Sequence, residues 1–167
     1  MLSILVPVSH SAAYLLSLSK TLKKLDLPSR TCNEESYETF DVTQFTNLKS
    51  LTIGDISFNS VKVFVLENLP FLKTVSIGKN CFLNVQNADS KCFRIANCSH
   101  LKSFVVQEWS FQNCGGVIDI SKLKRLKTIQ IGSKDKESYN FMNASLHIHG
   151  LNSFFLLRDR SVKFGVD

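Results

Sequence analysis

Lysine recurs at one position of this sequence. Lys23, Lys49, Lys73, Lys102 and Lys127 each directly follow a leucine or its equivalent. If these positions fall on neighbouring strands, the lysines form one column with a spacing of about 4.8 Å. Such a column attracts anionic partners such as acidic glycans, nucleic acid or acidic proteins. The alternative is that lysine keeps a strand surface soluble and prevents edge pairing.

Small polar residues accompany the lysines at fixed offsets. Thr52, Ser76 and Gln130 are expected to face outward on the same strand ladder, with the bulkier Val105 interrupting their row. The binding hypothesis therefore joins Lys49, Lys73, Lys102 and Lys127 with Thr52, Ser76 and Gln130 in a flat basic face. Trp109 lies at a predicted corner, where it either anchors an interface or covers the end of the core. No exposed aromatics are predicted between the lysines, which disfavours nucleic acid as the partner.

The sequence contains no catalytic motif of the G-x-S-x-G, H-E-x-x-H or phosphate-loop type. His147 and His149 flank Ile148 and would share one face of a strand, with Asp119 in the same column of the preceding unit. A zinc site needs a further ligand, so we interpret the two histidines as solvent-facing. We expect no enzymatic activity, no metal and no cofactor.

Five cysteines occur without C-x-x-C or metal-ligand spacing: Cys32, Cys81, Cys92, Cys98 and Cys114. Cys32 and Cys98 fall in inward positions, where a small apolar residue fits. Cys81 and Cys92 bracket an insertion at 83–91 and form a candidate disulfide in an oxidising compartment. The alternative is two reduced thiols in a cytosolic protein.

An internal repeat organises the chain. The apolar residues Phe64, Leu66, Leu69, Leu72, Val75, Ile77 and Phe82 recur at the same offsets as Phe40, Val42, Phe45, Leu48, Leu51, Ile53 and Phe58. The phasing residues of successive units are Leu22, Leu48, Leu72, Leu101, Leu126 and Phe154. Their steps of 26, 24, 29, 25 and 28 residues are typical of a repeat that stacks into a solenoid.

Each unit offers two short strands separated by corners. Val75-Ser76-Ile77 alternates apolar and polar residues, as a half-buried strand does, and so, more loosely, does Phe64-Val65-Leu66. Because no unit can bury its apolar side alone, neighbouring units must stack. The pattern predicts an all-β or β-dominated solenoid of about six stacked units with two parallel strand ladders.

The segments Leu48-Lys-Ser-Leu51-Thr-Ile53-Gly54 and Leu72-Lys-Thr-Val75-Ser-Ile77-Gly78 resemble the L-x-x-L-x-I core of leucine-rich repeats. The following aromatic and the pairs Val6-Pro7 and Leu27-Pro28 are most similar to the BspA-type class of bacterial and protist surface proteins. The resemblance implies a solenoid that recognises other macromolecules. An Asn ladder of the plant type is missing, and each unit carries a second strand-like segment.

The ends of the repeat array differ from its middle. The chain is expected to begin halfway through a unit at Ile4 and Val6. Tyr14 and Leu16 then serve as inward residues of a weak first repeat. At the other end, Asp159 falls in an inward slot, so the last unit is expected to act as a cap.

Length and composition fit a single solenoid domain over residues 1–167, with a formal net charge of +6 and 44% hydrophobic residues. No apolar run reaches the roughly 18 residues of a membrane span. The predicted function is non-catalytic recognition of a protein or an anionic macromolecule; the alternative is a structural or adhesive segment of a longer cell-surface repeat protein. The compartment stays open between the cell surface or exterior and the cytoplasm.

Overall fold

The structure of the protein is a computed structural model. It describes residues 11–83, 93–120, 123, 125–133, 138–148, 155–157 and 163–165. For the strand residues 116–120, 143–148, 155–157 and 163–165 it describes the backbone alone.

Twelve described strands are divided between two parallel sheets, each of six strands. Sheet A contains the odd-numbered strands β1 (Lys24–Leu27), β3 (Ser50–Ile53), β5 (Thr74–Ile77), β7 (Ser103–Val106), β9 (Thr128–Ile131) and β11 (Phe155–Leu157). Sheet B contains the even-numbered strands β2 (Thr39–Asp41), β4 (Val63–Glu67), β6 (Phe93–Ala96), β8 (Gly115–Ile120), β10 (Asn143–Ile148) and β12 (Lys163–Gly165). Because the chain alternates between the sheets, it winds as a parallel β-solenoid. The predicted β-dominated solenoid with two strand ladders is confirmed.

The predicted alternation is visible in the burial of the short strands. In sheet A, Leu51 and Ile53 are buried while Ser50 and Thr52 are half-buried on the outer face, and β5, β7 and β9 repeat the alternation, with Thr74 of β5 exposed. The pairing register joins equivalent residues of successive units, for example Leu51 with Val75 and Ile53 with Ile77. The repeat offsets read from the sequence are therefore the hydrogen-bonding register of the sheet.

A stack of phenylalanine rings runs through the core. The ring centroids of Phe58 and Phe82 lie 5.2 Å apart, those of Phe82 and Phe111 lie 4.5 Å apart, and those of Phe111 and Phe141 lie 5.0 Å apart. Neighbouring rings in this stack are within 8° of parallel. All four side chains are buried. We call Phe58, Phe82, Phe111 and Phe141 the phenylalanine ladder.

Each of the five phasing leucines ends the same local turn of its unit. The amide N–H of each donates to the carbonyl oxygen three residues earlier, for Leu22, Leu48, Leu72, Leu101 and Leu126 at 2.9 to 3.2 Å. All five side chains are buried. Phe154, the predicted phasing residue of the last unit, lies outside the described residues, as does Asp159.

Corners between the sheets use a left-handed backbone at residues other than glycine. Ile56 has a φ of 57° and Phe58 a φ of 59°, and the same two positions of the next units are left-handed at Asn80 and Phe82 and at Trp109 and Phe111. A β-branched residue rarely adopts this conformation, so the packing of the stack must impose it on Ile56. Gly54 is required for space, because a Cβ there would lie 2.4 Å from the backbone nitrogen of Ser29 in the preceding turn.

The start of the described chain differs from the expected strand. Residues Ala12–Ser17 form the helix α1, in which Leu15 is buried and Leu16 is 63% exposed. The predicted inward role of Leu16 is therefore wrong. The segment has apolar residues at Leu15 and Leu18, three apart, and a run of good helix formers, which favours a helical turn over a strand. Ile4 and Val6 lie outside the described residues.

We expect the phenylalanine ladder to dominate stability. Replacing Phe82 by Ala removes a ring that stacks on both neighbours, and it should lower the free energy of unfolding by about 3–5 kcal/mol. The matched control is Phe71→Ala, at a ring that is 49% exposed, which should change it by less than about 0.5 kcal/mol. Urea denaturation measures both, and equal losses for the two variants would contradict the ladder's role.

Candidate functional site: a lysine column on sheet A

Backbone hydrogen bonds join five lysines in a row at the N-terminal ends of the strands of sheet A. The amide N–H groups of Lys49, Lys73, Lys102 and Lys127 donate to the carbonyl oxygens of Lys23, Lys49, Lys73 and Lys102, respectively, at 2.8 to 2.9 Å. We call Lys23, Lys49, Lys73, Lys102 and Lys127 the lysine column. All five side chains are exposed. The predicted in-register placement is confirmed, while the binding role of the column stays a prediction.

Next to the column, the outer face of sheet A carries two rows of side chains. In the row that was predicted from the sequence, Thr52 is paired with Ser76, Ser76 with Val105 and Val105 with Gln130. All four side chains are half-buried. The register thus brings Thr52, Ser76 and Gln130 onto the outer face of sheet A, and the lysines lie at the start of the same strands. Val105 interrupts the row, as expected.

A second row lies closer to the lysines and was not predicted. It consists of the residues directly after four of the column lysines, Ser50, Thr74, Ser103 and Thr128, which we call the hydroxyl row. The Thr74 and Ser50 hydroxyl oxygens are 3.1 Å apart. The signal was present in the sequence as Leu-Lys followed by Ser or Thr in four units.

The charges of the two sheets are arranged differently. Near sheet B, Lys62 pairs with Glu38, and the Arg94 Nε lies 3.5 Å from the Glu67 Oε1. Within the described residues, no salt bridge involves a lysine of the column. The first strand of sheet A carries an acidic residue, Asp26, but its partner is Lys24 at 2.6 Å. The column is therefore a row of like charges without a salt-bridge partner in the described part of the chain.

Trp109 lies away from the lysines. Lys102 directly precedes β7 and Trp109 follows its end, so the two residues lie at opposite ends of this strand. The indole is 39% exposed, and its ring centroid lies 4.7 Å from that of Tyr139. Its backbone N–H donates to the carbonyl oxygen of Ser138 in the next turn (2.7 Å). The structure thus brings the lysines and the polar rows together and separates Trp109 from them.

Cys81 occupies a buried polar slot. The equivalent residues of the other turns, each directly before a left-handed residue of the stack, are Thr31, Ser57, Ser110 and Asn140, and all are buried. Ser110 donates its hydroxyl to the Gly78 carbonyl oxygen (2.7 Å), and the Cys81 Sγ lies 3.2 Å from the Gly54 carbonyl oxygen. The thiol thus replaces a hydroxyl as the donor to a corner carbonyl.

This placement corrects the disulfide interpretation. Cys81 carries a free, buried thiol, so the candidate Cys81–Cys92 disulfide is not formed in the structure; Cys92 lies outside the described residues. Burial raises the pKa of Cys81 to about 11, and burial likewise raises that of the free thiol Cys98 to about 11. Cys114, by contrast, is disulfide-bonded.

The structure does not describe the side chains of the candidate histidine pair, His147 and His149. His149 lies outside the described residues, and of His147 only the backbone is described, paired in register with Asp119. Among the side chains that the structure describes, no group of three His, Cys, Asp or Glu residues could hold a metal ion. In the same part of the chain, no helix is long and apolar enough to cross a membrane.

Comparison of the chain with protein families, with characterised proteins and with solved structures finds no match.

We expect the buried thiol of Cys81 to make the fold sensitive to alkaline pH. Its folded pKa is raised from 9.0 to about 11, so the folded state holds the proton longer than the unfolded state. Its contribution is complete below about pH 9 and is lost as the pH rises toward 11, by about 1 kcal/mol between pH 9 and 10.

The test compares the unfolding free energies of the parent and Cys81→Ser at pH 8, 9 and 10. Serine fits the slot, as Ser57 and Ser110 show, but does not titrate in this range. The parent should lose more stability with rising pH than the variant. Parallel pH profiles would contradict a protonated, hydrogen-bonded thiol.

Proposed function

We propose that this chain is a non-catalytic recognition module of the leucine-rich repeat type, most like the BspA class, that binds an anionic macromolecule through sheet A. The observation that carries the proposal is the lysine column, whose ammonium groups have no acidic partner in the described part of the chain. Charges arranged in one line act on the same partner, and their potentials add.

The repeat class is supported by two features of each unit. The period of 24 to 29 residues lies within or close to the leucine-rich repeat range, and the L-x-x-L-x-I core runs from the phasing leucine through the following strand of sheet A. Inward leucines thereby anchor the strand that presents the lysines. The likeness to the BspA class rests on the sequence resemblance.

The proposal of a non-catalytic module is supported by the state of the thiols. A reactive cysteine needs an accessible thiolate, whereas Cys81 and Cys98 are buried and their pKa values are raised. The Cys81 thiol donates to the carbonyl oxygens of Gly54 and Lys79, and its burial outweighs the hydrogen bonds of Ser57, Ser110 and Ile56, which lower its pKa.

A structural or adhesive role in a longer surface repeat protein is the second candidate. It is favoured by the uniformity of the stacking, because the same backbone hydrogen bond joins each column lysine to the next. Such a stack lengthens by adding turns without changing the contacts within it. This role needs no anionic ligand, and the binding experiment separates it from the first.

We expect retention on immobilised heparin to depend on the lysine column. The variant Lys49→Gln, Lys73→Gln, Lys102→Gln, Lys127→Gln removes four aligned charges, so it should elute at a clearly lower salt concentration than the parent. Salt weakens the attraction because exposed charges are screened over about 8 Å at physiological ionic strength. The variant should melt at the same temperature as the parent or higher, because the removed charges repel one another.

The matched control removes four exposed charges outside the column, with Lys20→Gln, Arg30→Asn, Lys62→Gln and Arg94→Gln. Asn is chosen at position 30 because it tolerates the φ of 65° found there. Both variants have the same net charge. Equal elution of the folded column variant and the control would show that the lysines serve only solubility, and it would favour the structural role.

A further inference from the structure

The lysine column and the hydroxyl row form a repeated unit of recognition. Each of four successive turns presents an ammonium group and a neighbouring hydroxyl, in the pairs Lys49 and Ser50, Lys73 and Thr74, Lys102 and Ser103, and Lys127 and Thr128. Adjacent strands of a sheet are about 4.8 Å apart, so the four pairs extend over roughly 14 Å along the solenoid axis. A partner that uses all of them must itself carry anions at regular intervals.

One apolar group lies beside this row. Phe71 precedes the phasing residue Leu72 and is 49% exposed, two residues before Lys73. The same position of the neighbouring turns holds Asn47 and His100, both half-buried. In the described part of the chain, Phe71 is the only aromatic ring among the exposed large hydrophobic side chains at this end of sheet A. A partner at the column can therefore place one apolar surface on this ring.

These features distinguish between classes of anionic polymer. Single-stranded nucleic acid is bound by successive aromatic side chains that stack on successive bases, but this surface offers one exposed ring. Inorganic polyphosphate has regular charge but no apolar surface for Phe71. An acidic polysaccharide combines regularly spaced sulfate or carboxylate groups, hydroxyls that can exchange hydrogen bonds with Ser and Thr, and sugar rings with an apolar face.

Resting on the proposed function, we infer that the partner is an acidic polysaccharide that lies along the lysine column, across the strands of sheet A, with one sugar ring on Phe71. The anions pair with successive lysines while the hydroxyl row contacts the polymer between the charges. Each further turn engaged makes the next contact intramolecular, which increases the affinity without a new kind of contact.

The first test uses size-defined heparin oligosaccharides and isothermal titration calorimetry on the full chain. The affinity should rise by about tenfold or more as the oligosaccharide lengthens to span the column, and then level off. An affinity that is the same for the shortest and the longest oligosaccharide would overturn an aligned polymer. Failure of the proposed function itself would look different, since the parent would then bind no heparin fragment of any length.

The second test identifies the class of polymer with the variant Phe71→Ser. Because Phe71 is exposed, we expect this variant to fold. The variant should bind the longest heparin oligosaccharide roughly threefold to tenfold more weakly and bind inorganic polyphosphate unchanged, because only a sugar ring uses the aromatic surface. The matched control is Leu16→Ser, an exposed apolar residue on α1, which should alter neither affinity.

Two results would overturn the inference. Unchanged heparin affinity in Phe71→Ser would mean that the column binds any polyanion. Tighter binding of an oligothymidylate of equal charge, weakened by Phe71→Ser, would assign the surface to single-stranded nucleic acid instead.

Discussion

The stacking of the phenylalanine ladder is the constraint on which the rest of the structure depends. Its rings are separated by 4.5 to 5.2 Å, close to the spacing of about 4.8 Å between neighbouring strands. Ring packing and backbone hydrogen bonding therefore require the same distance between turns, and neither can change alone. The lysine column has the same spacing between turns, although the lysine side chains take no part in the core.

The corners show how a chain of such short strands satisfies its buried polar groups. A left-handed residue turns the backbone inward, and the preceding side chain donates to a corner carbonyl that would otherwise lose its water. Thr31, Ser110 and Asn140 make this contact at 2.7 Å, and Cys81 makes it through sulfur. The core is thereby closed at the corners, and the lysine column lies outside it, exposed at the start of the strands of sheet A.

Much of this architecture could be predicted because inward positions recur at fixed offsets. That regularity predicted the two ladders, the phasing leucines and the register of the lysine column. The predictions were wrong where one residue type is compatible with more than one structural role. Cys81 was interpreted as a disulfide partner because it and Cys92 bracket an insertion, although the equivalent positions of the other turns are all polar. The segment around Leu16 is too short for its periodicity to separate helix from strand. Ile56 adopts a left-handed backbone that its own preference opposes, so only the stacked neighbours explain it.

Stacking of the turns places the backbones of the five column lysines in one hydrogen-bonded line. Scalar couplings across hydrogen bonds, measured by NMR in the isotope-labelled protein, test this directly because they join a donor nitrogen to its acceptor carbonyl carbon. We expect couplings from the amide nitrogens of Lys49, Lys73, Lys102 and Lys127 to the carbonyl carbons of Lys23, Lys49, Lys73 and Lys102, respectively. Couplings from these nitrogens to carbonyls at other positions of the preceding turn would contradict the register and, with it, the binding face.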